Sequence, residues 1–190
     1  MIPPMSNRFR IDDAAPPLVI PYPDLAQYRR PSQQHLDWLY AKGVPLTALK
    51  GPPLVLVASG YKALDGAFEP DAGGEEWLVF PLHDDVVYWQ PRCGEFARWN
   101  GRAFAIGEDV IRAAATYSFG ACLNIFGDPL QWLRAGRDGL VVADWGQAFN
   151  KLRDVPRIAV VESLLDKLEQ HLQPPRLPEI FVLRQREVVA

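Results

Sequence analysis

The sequence predicts a mixed α+β and α/β fold: an antiparallel β-meander followed by a small βαβαβα unit with parallel strands. Two observations predict it. In the last third, three short apolar runs (123–126, 139–143 and 157–161) each lead past an acidic residue into a helical stretch (129–135, 147–153 and 164–172). Strand and helix alternating at roughly twenty residues is the period of βα units, whose strands lie parallel. In the middle, the runs 76–82, 86–90, 95–99 and 102–106 are separated by short turn signals at 83–85, 91–94 and 100–101. Short strands joined this way pair antiparallel, and Asn100-Gly101 is the strongest hairpin signal in the chain.

The elements follow in order. Residues 1–31 form a proline-rich arm, in which 18–21 can add an edge strand. Ser32 follows Pro31 and is placed to cap a helix over 33–42 that Gly43 ends. Leu36, Leu39 and Tyr40 give that helix one apolar face. Pro52-Pro53 opens the fully apolar run 54–58, a buried strand. The Gly/Asp/Glu-rich stretch 65–76 reads as a mobile loop. After the meander, 109–117 is Ala-rich and reads as a short helix presenting Val110, Ala113, Ala114 and Tyr117 on one face. Pro174-Pro175 ends the last helix, and 180–183 reads as a final strand. Three parts result: the arm 1–31, a helix-plus-meander subdomain 32–120, and an α/β subdomain 121–190.

Composition bounds the function. The chain has 190 residues, 48% of them hydrophobic, enough for a real core. The net charge of −3 argues against tight non-specific binding along a nucleic-acid backbone, which needs a basic surface. Cys93 and Cys122 are the only cysteines and read as two reduced thiols, consistent with a cytoplasmic location. No apolar run reaches ~18 residues, so no membrane span is expected. Residues 1–10 have no apolar core of the kind a signal peptide carries. No GxGxxG or GxxxxGK[ST] loop occurs. His35, His83 and His171 are scattered, with no recognisable nucleophile beside them.

Two sets of residues can carry chemistry. Asp128, Asp144 and Glu162 follow the three C-terminal strands, where α/β sheets handle ligands. Together they are candidate Mg²⁺ ligands for phosphoryl transfer. Each also has a structural role open to it: Asp128 before Pro129 is a standard helix start, Asp144 can cap likewise, and Glu162 suits a helix N-terminus. In the meander lie Trp77, Trp89 and Trp99, with Arg92, Arg98 and Arg102 between or beside them. Aromatics with interleaved arginines can stack bases and neutralise phosphates. The same tryptophans can equally fill a small core.

The order of elements resembles bacteriophage and bacterial primases, in which a short helical segment and a β-rich stretch precede a Toprim domain. Leu36-Asp-Trp-Leu-Tyr-Ala-Lys-Gly-Val44 is similar to the helix and following Gly-Val/Ile of that family. Residues 77–82 and 84–88 are similar to its Phe-Pro-Ile … Asp-Gly-x-Val-Val hairpin. Asn124 to Gly136, then 140–143, is similar to the first Toprim strand, helix and second strand. Activity in that family rests on a glutamate after the first strand and a later Asp-x-Asp. Here the first strand ends Phe126-Gly127-Asp128, and no Asp-x-Asp occurs. The resemblance therefore implies a degenerate Toprim-like module without a phosphoryl-transfer centre. The expected function is a non-catalytic accessory protein of phage or prophage type, without a cofactor, that binds nucleic acid or a replication protein through Trp89, Arg92, Arg98, Trp99 and Arg102. Two alternatives stand beside it. One is a Mg²⁺-dependent phosphoryl-transfer or nucleotide-processing enzyme using Asp128, Asp144 and Glu162. The other is a structural protein whose arm and 65–76 loop contact another chain.

Overall fold

The computed structural model describes residues 20–174, a mixed α+β fold built on two sheets. The described part of the predicted arm, residues 20–31, runs along the first sheet. Asp24 caps a 3₁₀ turn at Leu25–Gln27, and Arg29 bridges to Val57. Ser32 then caps helix α1 (Gln33–Ala41) by accepting from the His35 N–H, and the His35 ring reaches back to the Ser32 N–H. Gly43, at φ +81°, ends it as expected. A short helix α2 (Leu46–Lys50) leads into the sheet.

Strands β1 (Leu56–Lys62), β2 (Phe68–Pro70), β3 (Glu75–Pro81), β4 (Val86–Trp89) and β5 (Phe96–Arg98) form an antiparallel sheet in the order β2-β1-β3-β4-β5. Its edges meet: Ala67 bridges to Arg98, so the sheet curls toward closure. Side chains alternate between the two faces. Leu56, Ala58, Trp77, Val79, Val86 and Tyr88 point into the curl, where Phe68 stacks on Tyr88 at 3.8 Å. Val57, Leu78, Phe80, Val87 and Trp89 point outward onto the helices. Both faces are buried over Trp77–Phe80 and Val86–Trp89, which is why these stretches of β3 and β4 read as unbroken apolar runs. Gly60 allows the tight β1–β2 approach, since a Cβ there would lie 2.3 Å from the Glu69 carbonyl oxygen. The 65–76 stretch is not simply a loop: it contains β2, and Phe68 is buried.

The meander also ends earlier than the Asn100-Gly101 signal predicts. That turn does not join two neighbouring strands. The chain leaves the first sheet there, and β6 (Ala105–Ile106) belongs to the second. The physical cause is Asp85, which is fully buried. Its carboxylate accepts N–H bonds from Val86, Asn100, Arg102 and Ala103, each 2.8–2.9 Å long. Those bonds hold the turn against the β3–β4 connection and direct the chain across.

The second sheet is completed by β7 (Leu123–Phe126), β8 (Leu140–Val142) and β9 (Ile158–Val160), in the order β6-β8-β7-β9. β7 runs parallel to both β8 and β9, and β6 pairs antiparallel with β8. The parallel unit is therefore as predicted, but the division near Gly120 does not separate the sheets. Helix α3 (Pro129–Arg134) lies between them, with Trp132 and Leu133 packed among Phe80, Ile106 and Val141. Helices α4 (Ala148–Leu152) and α5 (Leu165–Leu172) cover the opposite face over Leu123, Ile125, Leu140 and Val142. Arg137, in left-handed conformation at φ +69°, clamps the α2–β1 loop by donating to the carbonyls of Ala48, Gly51 and Pro53.

The predicted helix at 109–117 is instead two 3₁₀ turns, Glu108–Arg112 and Ala114–Gly120, broken at the extended Ala113. Thr116 and Tyr117 hydroxyls donate to the carbonyls of Val110 and Ile111, six residues back, a geometry an α-helix does not allow. Val110 and Tyr117 pack inward, but Ala113 and Ala114 are exposed. Among the described residues no helix is long and apolar enough to cross a membrane. The expected strand at 180–183, and most of the arm, lie outside the described residues.

Candidate functional site

The three strand-end acids do not form one site. Asp128 accepts from the Gln131 N–H at 2.9 Å and caps α3. Asp144 caps the 3₁₀ turn Trp145–Gln147 through the Gly146 N–H and forms an ion pair with Arg98 at 2.7 Å. Partial burial pushes its carboxyl upward. Hydrogen bonds from Gln147 and Arg98, the Arg98 charge and the Gly146 N–H outweigh that and hold it below the usual carboxylate range. Glu162 is exposed in the first turn before α5. Among the described residues no three His, Cys, Asp or Glu side chains gather to hold a metal ion. The arrangement that Mg²⁺-dependent chemistry would need is not assembled from these acids.

The tryptophan–arginine set is also divided. Trp77 and Trp89 are each only 3% exposed and lie on opposite faces of the sheet. Trp77 donates to the Gly60 carbonyl. Trp99 is half-buried and donates to Pro21. Arg98 is committed to Asp144, leaving Arg92 and Arg102 exposed. A base cannot stack on Trp89, because core side chains already cover its ring. Alternation in the sequence does not reveal this: both faces of a curled, helix-covered strand are interior.

Among the concave surfaces that flank the first sheet, two are larger than the rim hollow of about 420 Å³ lined by Gly60, Trp77, Gln90 and Arg92. The first, about 490 Å³, lies between α1, the β3–β4 pair and the first turn of α3. Trp38, His35 and Leu130 form its walls, and Leu78 and the buried Gln90 its deeper part. Leu130 follows Asp128 and Pro129, so this pocket opens beside the carboxyl end of β7. Ligands of α/β sheets are usually found at that end. Charged groups ring it. Glu75 pairs with Arg92 at 3.0 Å, and Glu76 pairs with Arg29 at 2.9 Å and His35 at 3.2 Å. Lys42 also lines it and has no ion-pair partner among the described residues. The acids are thus internally compensated, while Lys42 remains available.

One constellation escaped the sequence reading. His35 links Ser32 and Glu76: Nδ1 lies 2.6 Å from the Ser32 hydroxyl oxygen and Nε2 3.2 Å from a Glu76 carboxylate oxygen. The order serine–histidine–acid looks catalytic. Yet Nδ1 also accepts the Ser32 N–H, closing a helix-capping box, and Ser32 does not line the pocket. Ser-x-x-His after a proline was the available signal.

The second surface, about 680 Å³, runs between residues 21–29 and the β1–β2 rim, lined by Tyr22, Tyr28, Trp99, Asp24 and Asp71 among others. The aromatic hydroxyls and indole are already engaged: Tyr22 donates to Leu82, Tyr28 bonds to Tyr88, and Trp99 bonds to Pro21. Comparison with protein-family models, curated proteins and solved structures finds no match for this chain.

Proposed function

We propose that this chain is a non-catalytic binding module that takes a nucleobase and its phosphate in the pocket between α1 and the β3–β4 pair. One observation carries the reading: an aromatic wall, Trp38, shares a pocket of nucleotide size with Lys42, a cation without an ion-pair partner among the described residues. Pockets of roughly 300–1,000 Å³ with an apolar lining and few fixed polar groups are typical ligand sites. Base–aromatic stacking needs only a ring face, which Trp38 supplies in place of the buried Trp89. Lys42, the cation of the rim without an ion-pair partner among the described residues, would meet one phosphate. That agrees with a chain of net charge −3, which does not suit a long basic track. The accessory role implied by the primase-like layout is compatible with this reading, and the site lies beside the α/β unit rather than on its strand-end acids.

Calorimetry with mononucleotides and with short single-stranded oligonucleotides tests it. Trp38→Ala is expected to abolish binding. Lys42→Ala, at an exposed position, is expected to weaken it about fivefold, and the salt slope should be shallow, near −0.7 per phosphate neutralised. Absence of any nucleotide binding by the wild type at low salt would overturn the reading, as would unchanged affinity in both variants.

The second groove favours a further reading, a protein partner. Rings of Tyr22, Tyr28 and Trp99 held in place beside Asp24 and Asp71 suit an extended, proline-containing peptide bearing a cation. Tyr22→Ala should then weaken peptide capture without affecting nucleotide binding; capture unchanged by this substitution counts against it.

A further inference from the structure

We infer that the ligand of this pocket is a short single strand, whose second phosphate is taken by Arg134 where α1 and α3 end side by side. This rests on the nucleobase reading above. Trp38 of α1 and Leu130 of α3 both line the pocket. Residues four apart on a helix stand one above the other, about 6 Å along the axis. Lys42 therefore follows Trp38 at the end of α1, and Arg134 follows Leu130 at the end of α3. The two positions meet: Arg134 Nε donates to the Lys42 carbonyl.

Both side chains are exposed, and neither has an ion-pair partner among the described residues. Residues 38–53 and 129–137, which pack together here, contain Lys42, Lys50, Arg134 and Arg137 but no Asp or Glu. The acids that flank the second stretch are committed: Asp128 caps α3, and Asp138 accepts from Asn124. Around the rest of the rim, Glu75 and Glu76 hold Arg92, Arg29 and His35. In a chain of net charge −3, cations without a carboxylate are thus gathered at the end of these two helices.

Like charges on one stretch of surface repel, and anions lying against them remove the repulsion. Lys42 lines the pocket, so the phosphate of the stacked nucleotide reaches it; Arg134 does not line the pocket. Only a ligand that continues past Lys42 meets Arg134. A strand does so with the phosphate of its next nucleotide, which is how basic grooves beside stacking rings follow a backbone. Two cations suit two phosphates rather than a long track.

The experiment measures affinity for 5′-phosphorylated mono-, di- and pentathymidylate over a range of salt, with pentaglutamate as an acidic peptide control. The dinucleotide is expected to bind the wild type about fivefold more tightly than the mononucleotide, with salt slopes of about −1.4 and about −0.7. The pentanucleotide should gain less than about twofold more. Arg134→Gln puts an amide N–H at the chain position of Nε, so the bond to the Lys42 carbonyl is kept while the charge is lost. It should bring the dinucleotide down to the affinity of the mononucleotide and leave the mononucleotide unchanged. Arg134→Lys restores the charge and should recover most of the step. Equal affinity of the wild type for mono- and dinucleotide, or a step untouched by Arg134→Gln, overturns the assignment of Arg134 while leaving the base pocket standing. Pentaglutamate bound as tightly as pentathymidylate overturns the single strand in favour of an acidic peptide. If no nucleotide binds the wild type, the pocket reading itself fails.

Discussion

The two sheets use their turn carboxylates differently. In the first, Asp85 sits between β3 and β4, is fully buried, and accepts four backbone N–H groups. In the second, Asp128, Asp144 and Glu162 follow successive parallel strands and stay at least partly accessible. Asp128 caps one turn, and Asp144 caps another while pairing with Arg98. Glu162 has no hydrogen-bond partner among the described residues. A carboxylate has about four acceptor positions. Asp85 fills them with the N–H of its neighbour Val86 and three N–H groups of the crossing segment, so it pins that segment to the first sheet. The strand-end acids fill fewer, and those they fill serve local turns. Position at the carboxyl end of a sheet thus marks where a site can form, but the occupancy of the lone pairs decides whether it does.

A graded series of substitutions tests this contrast. The largest effect belongs to Asp85. Asp85→Ala strands the buried N–H donors of Val86 and Ala103 and takes an acceptor from the part-buried N–H groups of Asn100 and Arg102, so a loss of about 3 kcal/mol is expected in urea unfolding. Asp85→Asn should be nearly as damaging, because its NH₂ would face donors. A loss below about 1 kcal/mol would mean the crossing is held by packing alone.

Asp144 comes next. Asp144→Asn is expected to cost about 1–2 kcal/mol at neutral pH through the charge-assisted bond to Arg98. The sign with pH follows from the lowered carboxyl value. Its stabilisation is fully present above the unfolded value of about 3.9 and is lost as pH falls through the lower folded one. Unfolding measured from pH 6 to pH 2 should therefore show a shallower acid decline in the variant. An identical decline in both proteins contradicts the pairing.

The smallest effects belong to the remaining two. Asp128→Ala should cost about 1 kcal/mol as a lost helix cap. Glu162→Gln should change stability by less than about 0.5 kcal/mol. If Glu162→Gln were the most damaging of the four, the ordering drawn from lone-pair occupancy would be wrong.

Much of the fold was legible in local chemistry. Ser32, Gly43 and Asp128-Pro129 mark helix ends through backbone groups they satisfy themselves, and the structure places all three as the sequence implies. The parallel βα units were legible because apolar runs of strand length alternate with helical ones. The crossing at Asn100 was not. An Asn-Gly pair favours a turn without specifying which strands it joins, and the contact that decides it comes from Asp85, fifteen residues earlier. The pocket was legible only in fragments: Arg92 was among the candidate residues, but Trp38 and Gln90 were not. Trp38 reads as part of an amphipathic helix, and Gln90 as the polar end of a strand.

Most element types, the cap positions, the parallel strands of the last third and the absence of common phosphate loops could be read from the sequence alone. These depend on neighbours within a few residues. The packing of distant segments settles which aromatic is covered and which carboxylates are occupied. Those outcomes depend on contacts such as Arg98 with Asp144 and His35 with Glu76, which lie more than forty positions apart. A linear pattern carries no record of which lone pair such a distant donor will take.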